Sequence, residues 1–305
     1  MRRALFSLVI AAVFGIPATA QIQDAPPRFR SSTEVVTIQA SVRTNRGRPV
    51  AGLTEHDFEV RDNGQVRPIL SLRADRLSPV SLAVLVDTSG SMATGPKMAL
   101  TRQALDSVLS QLRRGEDEVA VFTFDSALHE RRPFSSDPVT MKGALDEFDV
   151  FGSTSLYDAT AAAARQLAAR SAAHKAIIVL TDGTDTSSRM TAAEVSGLAS
   201  SISVPVYIFA TVPSIDQRAM LEAAERAGSS NAADLRDLAE WTGGRLVLAS
   251  TDTETVTAAS SLVHELRQQY VLAIEAAAGR EWRRLDVRVK RPAAVVKARS
   301  GYFGG

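Results

Sequence analysis

The residues of this chain best suited to chemistry are Asp87-Thr88-Ser89-Gly90-Ser91-Met92, which follow directly on the apolar run Ser81 to Val86. Two further polar groups stand in comparable places. Leu180-Thr181-Asp182-Gly183 closes the apolar run Ala176 to Leu180, and Gly152-Ser153-Thr154-Ser155-Leu156-Tyr157-Asp158-Ala159 opens the helical pattern before that run. In an open α/β sheet the functional crevice lies beyond the carboxyl ends of the strands. Asp87, Ser89, Ser91, Thr154 and Asp182 are therefore expected to converge on one edge. The set is two carboxylates and three hydroxyls, with no imidazole and no thiolate. Oxygen-only ligation selects hard cations, and a partly charged set with room for water favours Mg2+, with Mn2+ and Ca2+ as alternatives. A position remains open for a ligand oxygen from outside.

Each piece has a plainer reading by itself. A Ser or Thr beside an Asp at a strand end often only caps a helix, and Asp182-Gly183 is an ordinary turn sequence. The three pieces together, each in its strand context, favour metal binding over capping. Among neighbouring residues, Asp158 is expected to cap or support its helix, Asp185 to be a solvated loop charge, and Thr88 to shape its loop.

The elements that must position this set are legible as hydrophobic patterns. Ser81 to Val86, Val119 to Phe124, Ala176 to Leu180 and Val204 to Ala210 are short and apolar on both faces, as a buried parallel sheet requires. Between them, Leu105, Val108, Leu109 and Leu112 recur at helical spacing, and Leu156 to Ala169 is rich in Ala and Leu. Leu235 to Trp241, Gly243-Gly244 and Arg245 to Ala249 repeat the order helix, glycine stop, strand. A last helix carries Ala259, Leu262, Val263 and Leu266. The expected fold class is α/β, a doubly wound and mostly parallel sheet with helices on both faces.

The flanks read differently. Val36, Ile38, Ala40 and Val42 alternate with polar residues, and Phe58 to Arg61 followed by Asp62-Asn63-Gly64 reads as a hairpin, since Asn-Gly supplies positive φ cheaply. Tyr270 to Glu275, Arg284 to Lys290 and Val295 to Arg299 return to strands. Residues 33–76 and 267–305 are each too small to stand alone, so they are expected to pair into one small β-domain around an inserted α/β part at 79–266. Trp241 and Tyr270 are read as core or interface residues, and Tyr302 and Phe303 as a plug for the β-domain.

The motifs resemble those of the von Willebrand factor type A domain, in which an Asp-x-Ser-x-Ser motif, a later Thr and a later Asp form a metal-ion-dependent adhesion site. The resemblance implies that Ser89, Ser91 and Thr154 are hydroxyl ligands, that Asp87 and Asp182 act directly or through water, and that an Asp or Glu carboxylate of a protein partner completes the shell. The flanks look like those of secreted bacterial proteins related to this family, through Gly52-Leu53-Thr54, Asp57-Phe58, Thr242-Gly243-Gly244-Arg245, Gln269-Tyr270 and Arg299-Ser300-Gly301-Tyr302. The implied function is a secreted, metal-dependent adhesion module. The alternative is a structural or assembly subunit of the cell envelope, with its metal site non-essential or internally occupied.

Enzyme classes find little support. An Asp-initiated phosphatase of the haloacid dehalogenase type needs a second Asp where Ser89 stands, and no Gly-x-Ser-x-Gly elbow or phosphate-binding glycine loop is present. His56, His129, His174 and His264 lie far apart without zinc spacing and are expected at surfaces or helix ends. No catalytic residue is assigned. Cysteine is absent, which excludes disulfides, thiolate metal sites and cysteine nucleophiles. With 35 basic and 34 acidic residues, no global field draws nucleic acid. Met1 to Ala20 has the layout of a cleavable secretory signal: Arg2-Arg3, an apolar core too short for a comfortable membrane span, then Ala18-Thr19-Ala20. Cleavage after Ala20 would leave 33 basic against 34 acidic residues, a net charge of −1, and a polar linker at 21–32. No later segment is apolar enough to span a bilayer, so a periplasmic or extracellular location is expected.

Overall fold

The computed structural model describes residues 35–146, 149–183, 185–212, 222 and 231–304. The expected signal and linker lie outside the described residues.

Continuous apolar runs become the centre of a six-stranded sheet. Its strands are β5 (Val80–Asp87), β6 (Glu118–Phe124), β7 (Leu128–Ser135), β8 (His174–Thr181), β9 (Val206–Thr211) and β10 (Leu246–Ala249), in the spatial order β10-β9-β8-β5-β6-β7. All neighbours are parallel except β6 and β7. Every residue of β5 is buried, because its two faces serve two cores. Leu82, Val84 and Val86 pack with α1 (Lys97–Ser110) and α5 (Asp252–Leu266), through Leu105, Val108, Leu262 and Leu266. Ala83 and Leu85 pack with α2 (Leu156–Ala168), α3 (Ala192–Ser201) and α4 (Asn231–Thr242), through Leu156, Leu167, Val195 and Leu238. The chain leaves β5 for β6 on one side and later returns to β8 on the other. The order therefore reverses between β5 and β8, and a topological switch point of this kind is where open α/β sheets bind ligands.

The flanking segments interleave into two antiparallel sheets. In the first, β1 (Val35–Thr44) lies between β13 (Ala294–Ala298) and β11 (Gln269–Glu275), with β4 (Ile69–Asp75) on the far side of β11. In the second, β12 (Trp282–Val289) lies between β14 (Gly301–Phe303) and β2 (Phe58–Asp62), which pairs with β3 (Gln65–Arg67). Ile38, Ala40, Phe58, Val60, Tyr270, Leu272, Leu285 and Tyr302 form their shared core. The β2–β3 turn uses Asn63 at φ 47° and Gly64 at φ 83°, the doubly positive geometry that Asn-Gly adopts at low cost.

Buried polar contacts tie these sheets to the α/β layer. Glu265 on α5, 1% exposed, accepts from Ser41 Oγ at 3.0 Å and pairs with Arg43 at 3.0 Å and Arg245 at 3.1 Å. Arg299 donates to the carbonyls of Ser200 and Thr37. Gly244 is required by close approach, since a Cβ there would lie 2.0 Å from the Val206 carbonyl oxygen.

Several expectations need correction. Phe303 is exposed and stacks edge-on against Trp282, so of the expected plug only Tyr302 is inside, where its hydroxyl donates to Asp62 at 3.1 Å. His174 is not at the surface: at the start of β8 it is 1% exposed, and burial pushes its pKa down despite the neighbouring Asp75. Trp241 is 39% exposed and fills no core, so only the interface alternative of its expectation fits: its backbone carbonyl accepts from Ser200 on α3 and from Ser300 of the β segment.

Candidate metal centre

The loops beyond β5 and β8 meet at the switch point. Asp87 ends β5 and is fully buried. Its carboxylate accepts from the Ser89 N–H at 2.9 Å and from the Thr181 hydroxyl at 2.6 Å. Both oxygens are thus engaged by the chain, one orienting the Ser89 turn and the other binding β5 to the end of β8. The Ser89 Oγ and Ser91 Oγ lie 3.1 Å apart. The Gly90 N–H donates to the Gly152 carbonyl at 3.2 Å, and the Phe151 N–H to the Thr88 carbonyl at 3.0 Å. These bonds clamp the Thr154 loop against the Ser89–Ser91 loop.

Thr154 is 3% exposed and fixed at its backbone: its N–H donates to Thr186 Oγ1, and its carbonyl accepts from the Thr186 and Ser187 N–H groups. Gly183, at φ 101°, turns the chain away after Asp182, and its N–H donates to Thr181 Oγ1. The Asp182 side chain is 7% exposed, and its Oδ2 pairs with Lys97 Nζ at 2.9 Å. The same ammonium donates to the Ser91 carbonyl at 3.0 Å. All three loops carrying the expected residues therefore come together. Among the described residues no group of three or more His, Asp or Glu side chains forms a metal-binding cluster, so the centre depends on its hydroxyls.

The electrostatics fit a hard cation. Asp182 Oδ1 is buried and has no hydrogen-bond partner, a costly state for a carboxylate oxygen. Burial pushes the Asp87 pKa up to about 6, against the hydrogen bonds from Thr181 and Ser89, and the Asp182 charge adds to the rise. Among the described residues Asp87 forms no ion pair. An octahedron of oxygens at about 2.0–2.1 Å has an edge of about 2.9 Å, close to the separation of the two serine hydroxyls.

Two residues that the sequence reading did not single out for roles belong here. Thr181 bonds Asp87 and the Gly183 turn, and the signal for it was a hydroxyl at the last strand position before Asp182. Lys97 is the first residue of α1, a place where a cation opposes the helix dipole, and that mismatch was the available clue. Asp185 is not a solvated charge: it accepts from Ser188 N and Oγ and from the Tyr157 N–H, fixing the start of α2. Asp158 supports the same loop by accepting from the Arg189 and Met190 N–H groups. Thr88 bonds the Phe124 carbonyl through both its N–H and its hydroxyl.

The family model described as the von Willebrand factor type A domain matches residues 82–184, a span that includes all five candidate residues. A solved von Willebrand factor type A protein from Catenulispora acidiphila is similar in fold, with a TM-score of 0.53 and 13% identity over 90% of this chain and 75% of that one. An aerotolerance-related membrane protein from Bacteroides fragilis gives a TM-score of 0.47 and 18% identity over 61% of this chain and 98% of that one. Proximal thread matrix protein 1 from the mussel byssus, solved with a zinc-occupied MIDAS motif, gives 0.49 and 17% over 67% of this chain and 49% of that one. Comparison with curated protein sequences gives no match. The family match and the sheet built around it lead to one conclusion: the chain carries a von Willebrand factor type A domain.

Proposed function

We propose that this chain is a metal-dependent protein-binding module. Ser89, Ser91 and Thr154 would hold a divalent cation through their hydroxyls, with Asp87 and Asp182 acting directly or through water. Mg2+ suits the donors best, and Mn2+ or Ca2+ are alternatives. When bound, that cation supplies an electrophilic position for a carboxylate oxygen from an Asp or Glu of a partner protein. The chain's own groups do the positioning: Asp87 orients the Ser89 turn, Thr181 fixes Asp87, and the Gly90–Gly152 contact holds the Thr154 loop in place. The observation that carries this reading is the pair of serine hydroxyls 3.1 Å apart, together with a buried Asp182 oxygen without a hydrogen bond on a side chain that Lys97 links to the Ser91 loop.

The role proposed is binding rather than catalysis. It also includes export by a signal cleaved after Ala20, placing the mature chain in a periplasm or outside the cell. In this division the signal at 1–20 and linker at 21–32 precede the β segments at 33–76 and 267–305, which frame the α/β domain at 79–266. Among the described residues no helix is long and apolar enough to cross a membrane.

The test immobilises the mature chain and challenges it with a cell-envelope extract in Mg2+ or in chelator. The expected result is retention of a partner that is released by chelator and lost with Ser89→Ala. Retention indifferent to both treatments would instead support a structural envelope subunit whose metal site is dispensable.

A further inference from the structure

Lys97 sits where its charge is locally unfavourable. It is the first residue of α1, following Pro96, and a helix N-terminus repels a cation. Its side chain is only 19% exposed and turns back across the loop, with Nζ 2.9 Å from Asp182 Oδ2 and 3.0 Å from the Ser91 carbonyl. Both contacts lie within the candidate metal centre. Asp182 carries one of its two carboxylates, and Ser91 carries one of its three hydroxyls. The ammonium thus compensates an acid that the metal reading assigns to a divalent ion.

Two cations at one carboxylate repel each other strongly when both are shielded from water. A lysine on a flexible four-carbon stem can swing to solvent, whereas the backbone-fixed Ser and Thr hydroxyls cannot follow it. We propose that Lys97 is a tethered competitor of the metal, so that a divalent ion must displace its ammonium from Asp182 before the centre is loaded. The inference rests on the metal reading above and deepens it. The lysine sets the metal concentration at which the site becomes competent. It also neutralises Asp182 while no metal is bound, leaving Asp87 without a cation of its own among the described residues.

The test is calorimetric titration of the mature chain with Mn2+ alone, comparing wild type, Lys97→Met and Lys97→Arg. Methionine keeps most of the stem's length and removes the charge, while arginine keeps the charge. Lys97→Met is expected to bind Mn2+ at least about tenfold more tightly, equivalent to ~1.4 kcal/mol, with Lys97→Arg near wild type. In chelator Lys97→Met should melt below wild type, and its melting point should gain more from Mn2+. Lys97→Gln repeats the neutral substitution if the methionine variant folds poorly. Equal or weaker Mn2+ binding by the neutral variants would overturn the proposal, making Lys97 a fixed orienting group while leaving the metal reading intact. Absence of saturable binding in every variant would remove the metal reading, and Lys97's role with it. Binding confined to the neutral variants would support the proposal in its strongest form.

Discussion

Asp87 and Asp117 are both fully buried carboxylates associated with the same sheet, one at its carboxyl edge and one at its amino edge. Asp117 stands just before β6 and is held from several sides. It accepts from the Val80 N–H at 3.1 Å and the Arg113 N–H at 2.6 Å, and it pairs with the Arg267 guanidinium. Burial alone would push its pKa up, but Arg267 and the two backbone donors outweigh it and hold the carboxyl below the usual range. Asp87 receives one hydroxyl and one amide and no guanidinium, and burial wins, raising it to about 6. The chain therefore neutralises the acid at the structural edge from its own sequence. It leaves the acid at the switch point to be compensated by something else, the expected signature of a functional carboxylate.

The largest effect should come from breaking the structural pair. Arg267→Ala leaves buried Asp117 with only the longer 3.5 Å contact to the Arg113 guanidinium, and because removing one partner of a buried pair costs about 3–5 kcal/mol, a loss toward the lower end of that range is expected. Urea unfolding at pH 7 measures it, and a loss below about 1 kcal/mol would erase the distinction between the two acids.

The second effect is pH-dependent and opposite in sign at the two edges. Asp87 rises from 3.8 to about 6 on folding. Its contribution is fully present below pH 3.8 and is lost as pH climbs through 6, because the fold prefers its protonated form. Measured in chelator, Asp87→Asn should remove a pH-dependent loss of about 2–3 kcal/mol, taking 1.36 kcal/mol per unit. At neutral pH without metal, that variant should be the more stable protein. The Asp117 contribution behaves in reverse: it is present above the unfolded carboxylate pKa and is lost as pH falls through its lowered folded value.

The smallest effect sharpens the same contrast. Lys297 and Glu240 pair at 2.8 Å between β13 and α4, with side chains 32% and 47% exposed. Solvent screens such a pair, so Lys297→Ala should change stability by no more than about 0.5 kcal/mol.

Much of this architecture is legible in the sequence because local pattern and buried environment agree. Ser81 to Val86 is apolar on both faces, and β5 serves two cores; the Asn63-Gly64 turn dictated its hairpin. β7 was not legible because Leu128–Ser135 includes His129, Glu130, Arg131 and Arg132, and it gains strand geometry by pairing antiparallel with β6 at the sheet edge. α3 was missed because Ala, Ser and Gly197 give it a weak apolar stripe, although the Thr191–Glu194 capping box marked its start. At the candidate site, residue types and strand ends named the five candidate ligands. Thr181, Asp185 and Lys97 escaped because their roles depend on partners that the fold supplies across 94, 28 and 85 residues of chain. His174 escaped for the same reason: nothing in its neighbours in sequence announces a buried ring.

The central claim, that the switch-point carboxylates and hydroxyls form a cation site, is tested most directly by calorimetric melting of wild type and Asp87→Ala in Mg2+ and in chelator. At about one hundred times Kd, bound metal contributes about 2.7 kcal/mol by linkage. At about 2–4 °C per kcal/mol, this raises the wild-type midpoint by about 5–10 °C. Asp87→Ala should show no such rise. An unchanged wild-type midpoint in saturating Mg2+ and Mn2+, or an equal rise in the variant, would contradict the account.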